Sequence, residues 1–231
     1  MRSWFERPYH LHLLRQTLRQ PGARVLDVGC GNHAPSLTKK SFPSVVYHGL
    51  DNAEWNRDTR DTEALDKFFS LNLNDIESLS VVPNEHYDIV ICSHVLEHLR
   101  DPEAVAKSLL TKIREGGTLY VEVPSPATVS WPSAKNRYFL IHGCLNFFDD
   151  PTHVRPVDLD VLAAGFGRMG FHVTGPRTRR FARRIALLPV YILAGLLFRR
   201  YVPATVVWDI AGFAKYLRVQ KPVTSPAVGA A

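Results

Sequence analysis

Apolar residues gather in short runs between residues 24 and 124, and each run is followed by a polar, turn-forming stretch. In Arg24-Val25-Leu26-Asp27-Val28-Gly29 the apolar positions do not alternate strictly with polar ones, which predicts a strand covered on both faces. Further strands are predicted at residues 45–51, 68–73, 87–93 and 118–124. The segments between them are long enough for crossovers. The clearest is a helix over 101–114, opened by Asp101-Pro102 and followed by Gly116-Gly117. Upstream, Leu11, Leu14 and Leu18 share a helical spacing that predicts a helix over 8–20, stopped by Pro21-Gly22 and lying across the mouth of the ligand site. Alternation of strand and helix implies an α/β, doubly wound, mainly parallel sheet with its ligand at the carboxyl ends of the strands. Residues 126–156, rich in Pro, aromatic residues and His, are too long for a simple connection and are expected to form a lid or substrate insertion. A helix at 158–169 and a short strand at 171–174 follow.

The pattern changes after residue 176. Arg179, Arg180, Arg183 and Arg184 precede fourteen uncharged residues, 185–198, interrupted by Pro189, and Arg199 and Arg200 close the run. Spanning a bilayer takes about twenty residues, so this segment is expected to lie in the headgroup region with its apolar side down. Trp208, Phe213 and Tyr216 continue the interfacial character. The net charge of +6 conceals the asymmetry: residues 177–221 hold ten Arg or Lys against the single Asp209, while residues 1–176 hold eighteen basic and twenty-one acidic side chains. Such a tail points to an anionic membrane surface. Cover for a sheet edge, a dimer contact, or an anionic nucleotide or RNA are the alternatives, the last without a nucleic-acid fold to support it. The expected organisation is a body at 1–176, a basic membrane-associating extension at 177–221 and a disordered tail at 222–231. Three cysteines without framework spacing suit a reduced, cytosolic chain, and the N-terminus, broken by charge and Pro8, has no apolar core of signal-peptide length. A cytoplasmic place, peripheral to the membrane's inner face, is therefore expected.

The chemistry begins in the turn Asp27-Val28-Gly29-Cys30-Gly31. Gly29 and Gly31 let the backbone turn sharply and let a ligand approach. Asp27 would repel a diphosphate delivered to a helix N-terminus but suits a nucleoside cofactor carrying a sulfonium and an ammonium. A local role, capping the turn, is the alternative for Asp27. Cys30 reads as a small turn residue rather than a nucleophile. After the second strand, Asp51-Asn52 offers a carboxylate able to accept hydrogen bonds from both ribose hydroxyls, a reading that alone does not separate one nucleoside cofactor from NAD.

The run through Gly31 resembles the first motif of the class I S-adenosylmethionine (SAM)-dependent methyltransferases, whose fold is Rossmann-like, and 87–99 is similar to their fourth motif. The resemblance covers residues 24–124. It implies that Asp27, Gly29, Cys30, Gly31, Asp51 and Asn52 hold SAM, that Asn72 and Leu73 meet the adenine, and that Ser93 and His94 lie nearest the transferable methyl, with S-adenosylhomocysteine as product. His94-Val95-Leu96-Glu97-His98 also spells H-x-x-E-H, but it starts at a strand end and not on a helix, so zinc hydrolysis is not expected. Some quinone-biosynthesis methyltransferases of this superfamily carry a metal near such a Glu-His pair; no metal is expected here.

Methyl transfer to a hydroxyl places the acceptor oxygen, methyl carbon and sulfur on one axis and needs a base to take the hydroxyl proton. His153 is the preferred base, with Asp150 placed to orient it and raise its pKa above the ordinary ~6.5. His94 is the second candidate. Arg155 is expected to bind an anionic group of the substrate, and Tyr138, His142 and Asp149 to contact it. His10 and His12 gate the pocket or face solvent. The segment 150–156 resembles the D-P-x-H-x-R-P run of bacterial methyltransferases linked to cell-surface polysaccharide synthesis. That resemblance implies O-methylation of a sugar of lipopolysaccharide, O-antigen or a related envelope glycan, with a glycan or lipid-linked sugar as acceptor. A quinone or lipid acceptor is the alternative, and a membrane- or nucleotide-binding protein on the same fold is the non-enzyme alternative.

Overall fold

The computed structural model describes residues 8–53, 57–136 and 140–224. Two short helices, α1 (Tyr9–Leu13) and α2 (Arg15–Leu18), stand where one helix is expected, because Leu14 leaves the helical region between them. There follow β1 (Arg24–Val28), α3 (Ala34–Ser41), β2 (Val46–Asp51), α4 (Thr59–Ala64), β3 (Lys67–Ser70), β4 (Tyr87–Ser93), α5 (Pro102–Leu110) and β5 (Ile113–Pro124). The insertion at 126–156 holds β6 (Ile141–His142), and after it come α6 (Leu159–Arg168), β7 (His172–Thr178), α7 (Ala182–Ala186), α8 (Leu188–Arg199), β8 (Val202–Pro203), α9 (Ala204–Ala211) and β9 (Ala214–Gln220). Asp101, expected to open its helix, accepts the Ala104 N–H at 3.0 Å on α5, and Asp158 accepts the Asp160 N–H at 2.8 Å on α6.

The main sheet runs β3-β2-β1-β4-β5-β9-β7. Strands β1 to β5 pair in parallel, and β9 runs antiparallel to both β5 and β7. Chain order reverses between β1 and β4, which opens the crevice at the carboxyl ends of those strands where ligands bind in such sheets. The two faces follow from the period of two along each strand. Leu26, Val28, Val90 and Cys92 point into one core, which also takes Val105, Leu109 and Leu162 from α5 and α6. Val25, Ile89, Ile91 and Tyr47 point into the other, which is closed by Leu11, Leu14 and Leu18 of α1 and its successors.

The expected boundary at residue 176 does not separate a body from an extension. Strand β9 lies inside 177–221 yet fills the slot between β5 and β7, pairing from Thr118↔Gln220 to Pro124↔Ala214. Without it β5 would end the sheet with a row of unpaired backbone groups. What projects from the sheet is the helical segment between β7 and β9. Leu217, fully buried on β9, joins the same core as Leu26 and Val121. Leu217→Ala is therefore expected to cost about 2–5 kcal/mol in chemical denaturation, whereas a residue of a detachable extension would leave the midpoint unchanged.

Candidate active site

At the end of β1 the backbone turns through Gly29, at φ +74°, and donates from the Gly29 N–H to the Leu50 carbonyl at 2.7 Å. A Cβ at Gly29 would come within 2.4 Å of the Val95 side chain, and one at Gly49 within 2.5 Å of the Cys30 sulfur. Both glycines are thus required by close approach, and Gly29 by its conformation as well. Asn32 and His33 continue the turn in the left-handed region before α3. Asp27 is buried, and its carboxylate accepts the Tyr47 hydroxyl. Burial pushes the Asp27 carboxyl up to about 7 against that hydrogen bond, and the nearby charge of Asp51 adds to the rise. Burial likewise pushes the Cys30 thiol up to about 12, so it is not a nucleophile. Asp51 stands half-exposed at the end of β2 with one oxygen on the Asn52 N–H at 2.8 Å. Two carboxylates at one glycine turn make a donor set that suits a cationic nucleoside cofactor and disfavours a diphosphate. Asn72 and Asn52 are exposed nearby in sequence to the strand ends, whereas the Leu73 side chain is packed in the core.

The carboxyl end of β4 holds a charged network. His94 sits in the left-handed region at φ +55°, donates its N–H to the Glu122 carbonyl at 2.8 Å, and aims Nδ1 at Glu97 Oε1 (3.1 Å) and Nε2 at Glu122 Oε1 (3.0 Å). Carboxylates only accept, so both ring nitrogens carry protons. Burial opposes that charge, but the bonds to Glu122 and Glu97 outweigh it and raise the imidazole to about 9. His94 therefore is a fixed cation and not a base, which corrects its expected catalytic role. Glu122 also accepts the Tyr120 hydroxyl and Arg179 Nη1 at 2.8 Å, and Arg179 Nε donates to Asp209 at 3.0 Å. The guanidinium charge overrides burial and holds Glu122 well below the usual carboxylate range. Beside His94 stands an aromatic wall: the Trp208 ring lies 5.5 Å from His94 and stacks on Phe213 at 4.2 Å, and Trp131 meets Phe213 edge-on.

The insertion is fastened to the loop after β4 by the Val154 N–H, which donates to the Glu97 carbonyl at 2.8 Å. This brings His153 against His98, with ring centroids 4.7 Å apart. His153 Nδ1 lies 2.6 Å from the Phe147 carbonyl, which can only accept, so Nδ1 carries the proton and Nε2 the lone pair. Asp150, at 3.9 Å from Nε2, is beyond hydrogen-bond distance and is instead bonded to Thr152, so the orienting role expected of it belongs to the Phe147 carbonyl. Glu97, His98 and His153 offer one ligand atom each within 4.8 Å of one another, and buried Glu97 Oε2 has no hydrogen-bond partner among the described residues; these are side chains able to hold a divalent ion. A second such group, His33, Asp58 and Asp61, spends its carboxylates on the capping box of α4.

Other expected contacts are engaged elsewhere. Asp149 accepts from Ser133 and from the N–H groups of Ala134, Leu145 and Asn146, so it clamps the insertion from within. Arg155 pairs with Glu103 on α5. His142 lies in the two-stranded ribbon β6-β8 against Tyr201. Tyr138 lies outside the described residues. Arg179 and Arg184 pair with Asp209, so neither is available to a membrane as expected. His10 is kept neutral by burial, which lowers it to about 4. Sequence reading missed Glu122, whose charge between Val121 and Val123 in an apolar strand was the available signal, and it read Trp208 as an interfacial aromatic of the tail and not as a neighbour of His94.

A family model described as "Methyltransferase domain" matches residues 3–174. The "Ubiquinone biosynthesis O-methyltransferase" of Shewanella sp. (strain ANA-3) is 34% identical over 101 residues, 43% of this chain and 42% of that protein. Its counterpart in Coxiella burnetii is 31% identical over 115 residues, 49% of this chain and 48% of that protein. The chain thus spans less than half the length of these curated relatives. A SAM-dependent methyltransferase of Archaeoglobus fulgidus shares the fold with a TM-score of 0.55 at 18% identity, covering 92% of this chain and 91% of that one. These matches agree with the Rossmann-like sheet and with the glycine turn at the end of β1.

The His94 network has a measurable signature. Its folded pKa is raised above the ordinary ~6.5, so its contribution to stability is fully present below that value and is lost as the pH rises through about 9. NMR titration is expected to give a His94 midpoint near 9, and Glu122→Gln to lower it.

Proposed function

Because the chain belongs to the methyltransferase domain family, we propose that it transfers a methyl group from SAM to a hydroxyl oxygen on a lipophilic, hydroxylated ring of the quinone type. The observation that carries the acceptor class is the name shared by relatives aligned over 101 and 115 residues of the chain, ubiquinone biosynthesis O-methyltransferase. The aromatic wall of Trp208, Phe213 and Trp131 is in keeping with a flat apolar ring. The sugar acceptor expected from residues 150–156 has less support, since Arg155 pairs with Glu103 and the neighbouring Asp149 is engaged within the insertion.

When bound, SAM supplies an electrophilic methyl on a sulfonium. In this reading Asp51 accepts from the ribose hydroxyls, Asp27 underlies the turn as a counter-charge, and Gly29 and Gly31 leave the backbone open to the ligand. His153 Nε2 takes the hydroxyl proton while the Phe147 carbonyl keeps the proton on Nδ1. His94 keeps the β4 end in position and takes no part in proton transfer. The aromatic wall and the insertion exclude water so that the acceptor oxygen, methyl carbon and sulfur align.

Incubation with SAM and a phenolic quinone precursor is expected to give a product heavier by one methylene by mass spectrometry, with a lipid-linked sugar unchanged; methylation of the sugar alone would overturn the acceptor assignment. His153→Ala is expected to lower turnover about a hundredfold with SAM affinity nearly unchanged.

Asp27 makes cofactor binding sensitive to pH. Its carboxyl titrates near 7 in the folded chain, and a cationic ligand favours the ionised form, so binding releases a proton at lower pH. SAM affinity by calorimetry is expected to rise about tenfold from pH 6 to pH 8, one ionisation's worth of linkage, and Asp27→Asn to abolish the slope.

A further inference from the structure

Helices α7 and α8 are turned the wrong way round for a water-facing pair. Their outward positions are Ala182, Ala186, Pro189, Val190, Leu193, Leu196, Leu197 and Phe198, with no charged residue between 185 and 198. Val190 is 61%, Leu193 59%, Leu197 67% and Phe198 85% exposed. A surface helix ordinarily turns its polar side outward. The opposite side of α8 is fixed against the chain at Gly195, where a Cβ would lie 2.7 Å from the Tyr201 carbonyl oxygen. Exposed Arg180 stands before the apolar face and exposed Arg200 caps its end. At the root, a recess of about 540 Å³ between α1 and α7 is lined by Tyr9, Leu13, Phe181, Arg180 and Arg183. The one acid in 177–221, Asp209, is buried and paired with Arg179 and Arg184.

We infer that the outward face of α7 and α8 is the surface by which this protein docks on an anionic lipid bilayer, the apolar stripe lying among the acyl chains and the flanking arginines on the headgroups. Charge decides between the candidate occupants. A second copy seated on the same face would bring arginines against arginines with no exposed acid in the segment to answer them, whereas an anionic leaflet answers both ends at once. Length decides how the helix lies. Twelve residues of α8 extend about 18 Å, and no helix among the described residues is long and apolar enough to cross a membrane; α8 therefore lies in the interface. The same helical segment ends in α9, which carries Trp208 to 5.5 Å from His94. The docking surface and Trp208 of the aromatic wall thus belong to one segment, between β7 and β9, so a lipophilic acceptor of the kind proposed above reaches the site from the bilayer. Docking rests on that acceptor only for its purpose and is measured without it.

The full chain is to be co-sedimented with vesicles of phosphatidylcholine alone and of phosphatidylcholine with a quarter phosphatidylglycerol, at low and high salt. Expected is binding to the anionic vesicles at least tenfold tighter than to the neutral ones and weakened by salt. Leu193→Glu/Leu197→Glu is expected to lose that binding tenfold or more, and Arg180→Gln/Arg200→Gln to lose the preference for phosphatidylglycerol. Both variants replace exposed side chains, and an unchanged thermal midpoint checks that they fold. Wild type that stays in the supernatant with anionic vesicles overturns the assignment. So does a wild-type dimer in analytical ultracentrifugation that Leu193→Glu/Leu197→Glu converts to monomer, since that outcome makes the face an interface between copies. Failure of the quinone assay with vesicle binding intact would remove the acceptor and leave the docking surface standing.

Discussion

The buried carboxylate of Glu122 holds the working end of this molecule together. It sits near the end of strand β5 and accepts from His94 on the loop after β4, from Arg179 just beyond β7, and from Tyr120 on its own strand. Through Arg179 it reaches Asp209 on α9. A charge removed from water at such cost persists only when its partners are numerous and well placed. Four segments far apart in the chain are therefore held to one geometry. Removing one partner would leave the others as uncompensated charges, which is why the network is all-or-none in character.

Around that centre the acids divide their labour by environment. Glu122 is kept ionised by a guanidinium and an imidazolium, while Asp27, a similar carboxyl on the strand next to β4, is buried with a hydroxyl as its partner and is raised to about 7. The histidines divide likewise. His94 is clasped by two carboxylates that favour its charged form, whereas His153 Nδ1 faces the Phe147 carbonyl.

The segment between β7 and β9 joins two properties that need not travel together. Its inner side supplies Trp208 and Asp209 to the site, and its outer side is apolar. Because β9 returns into the middle of the sheet, the insertion is held at both ends by paired strands. Its orientation relative to the site is therefore fixed by the sheet and not by a linker.

The elements themselves were legible in the chain. Strand runs without alternation, Asp101-Pro102 and Asp158 as caps, and the Gly29 turn are local chemistry, and each lies where periodicity and turn preference predict it. The charge of 177–221 was equally plain. What could not be read was partnership. A carboxylate such as Asp149 looks the same in sequence whether it meets a substrate or four protein donors, and Arg179 looks the same in a membrane-facing run as in a buried pair with residues 57 positions away. Strand β9 was hidden for a related reason: pairing partners of an antiparallel strand lie about a hundred residues apart, from Thr118 to Gln220. By itself the sequence determined the sheet, its glycine turn and the sign of charge along the chain, because these depend on neighbours within a few residues. Only the tertiary structure decided which charges are spent, which histidine keeps a lone pair, and which side of α8 faces outward, because those depend on distances through space.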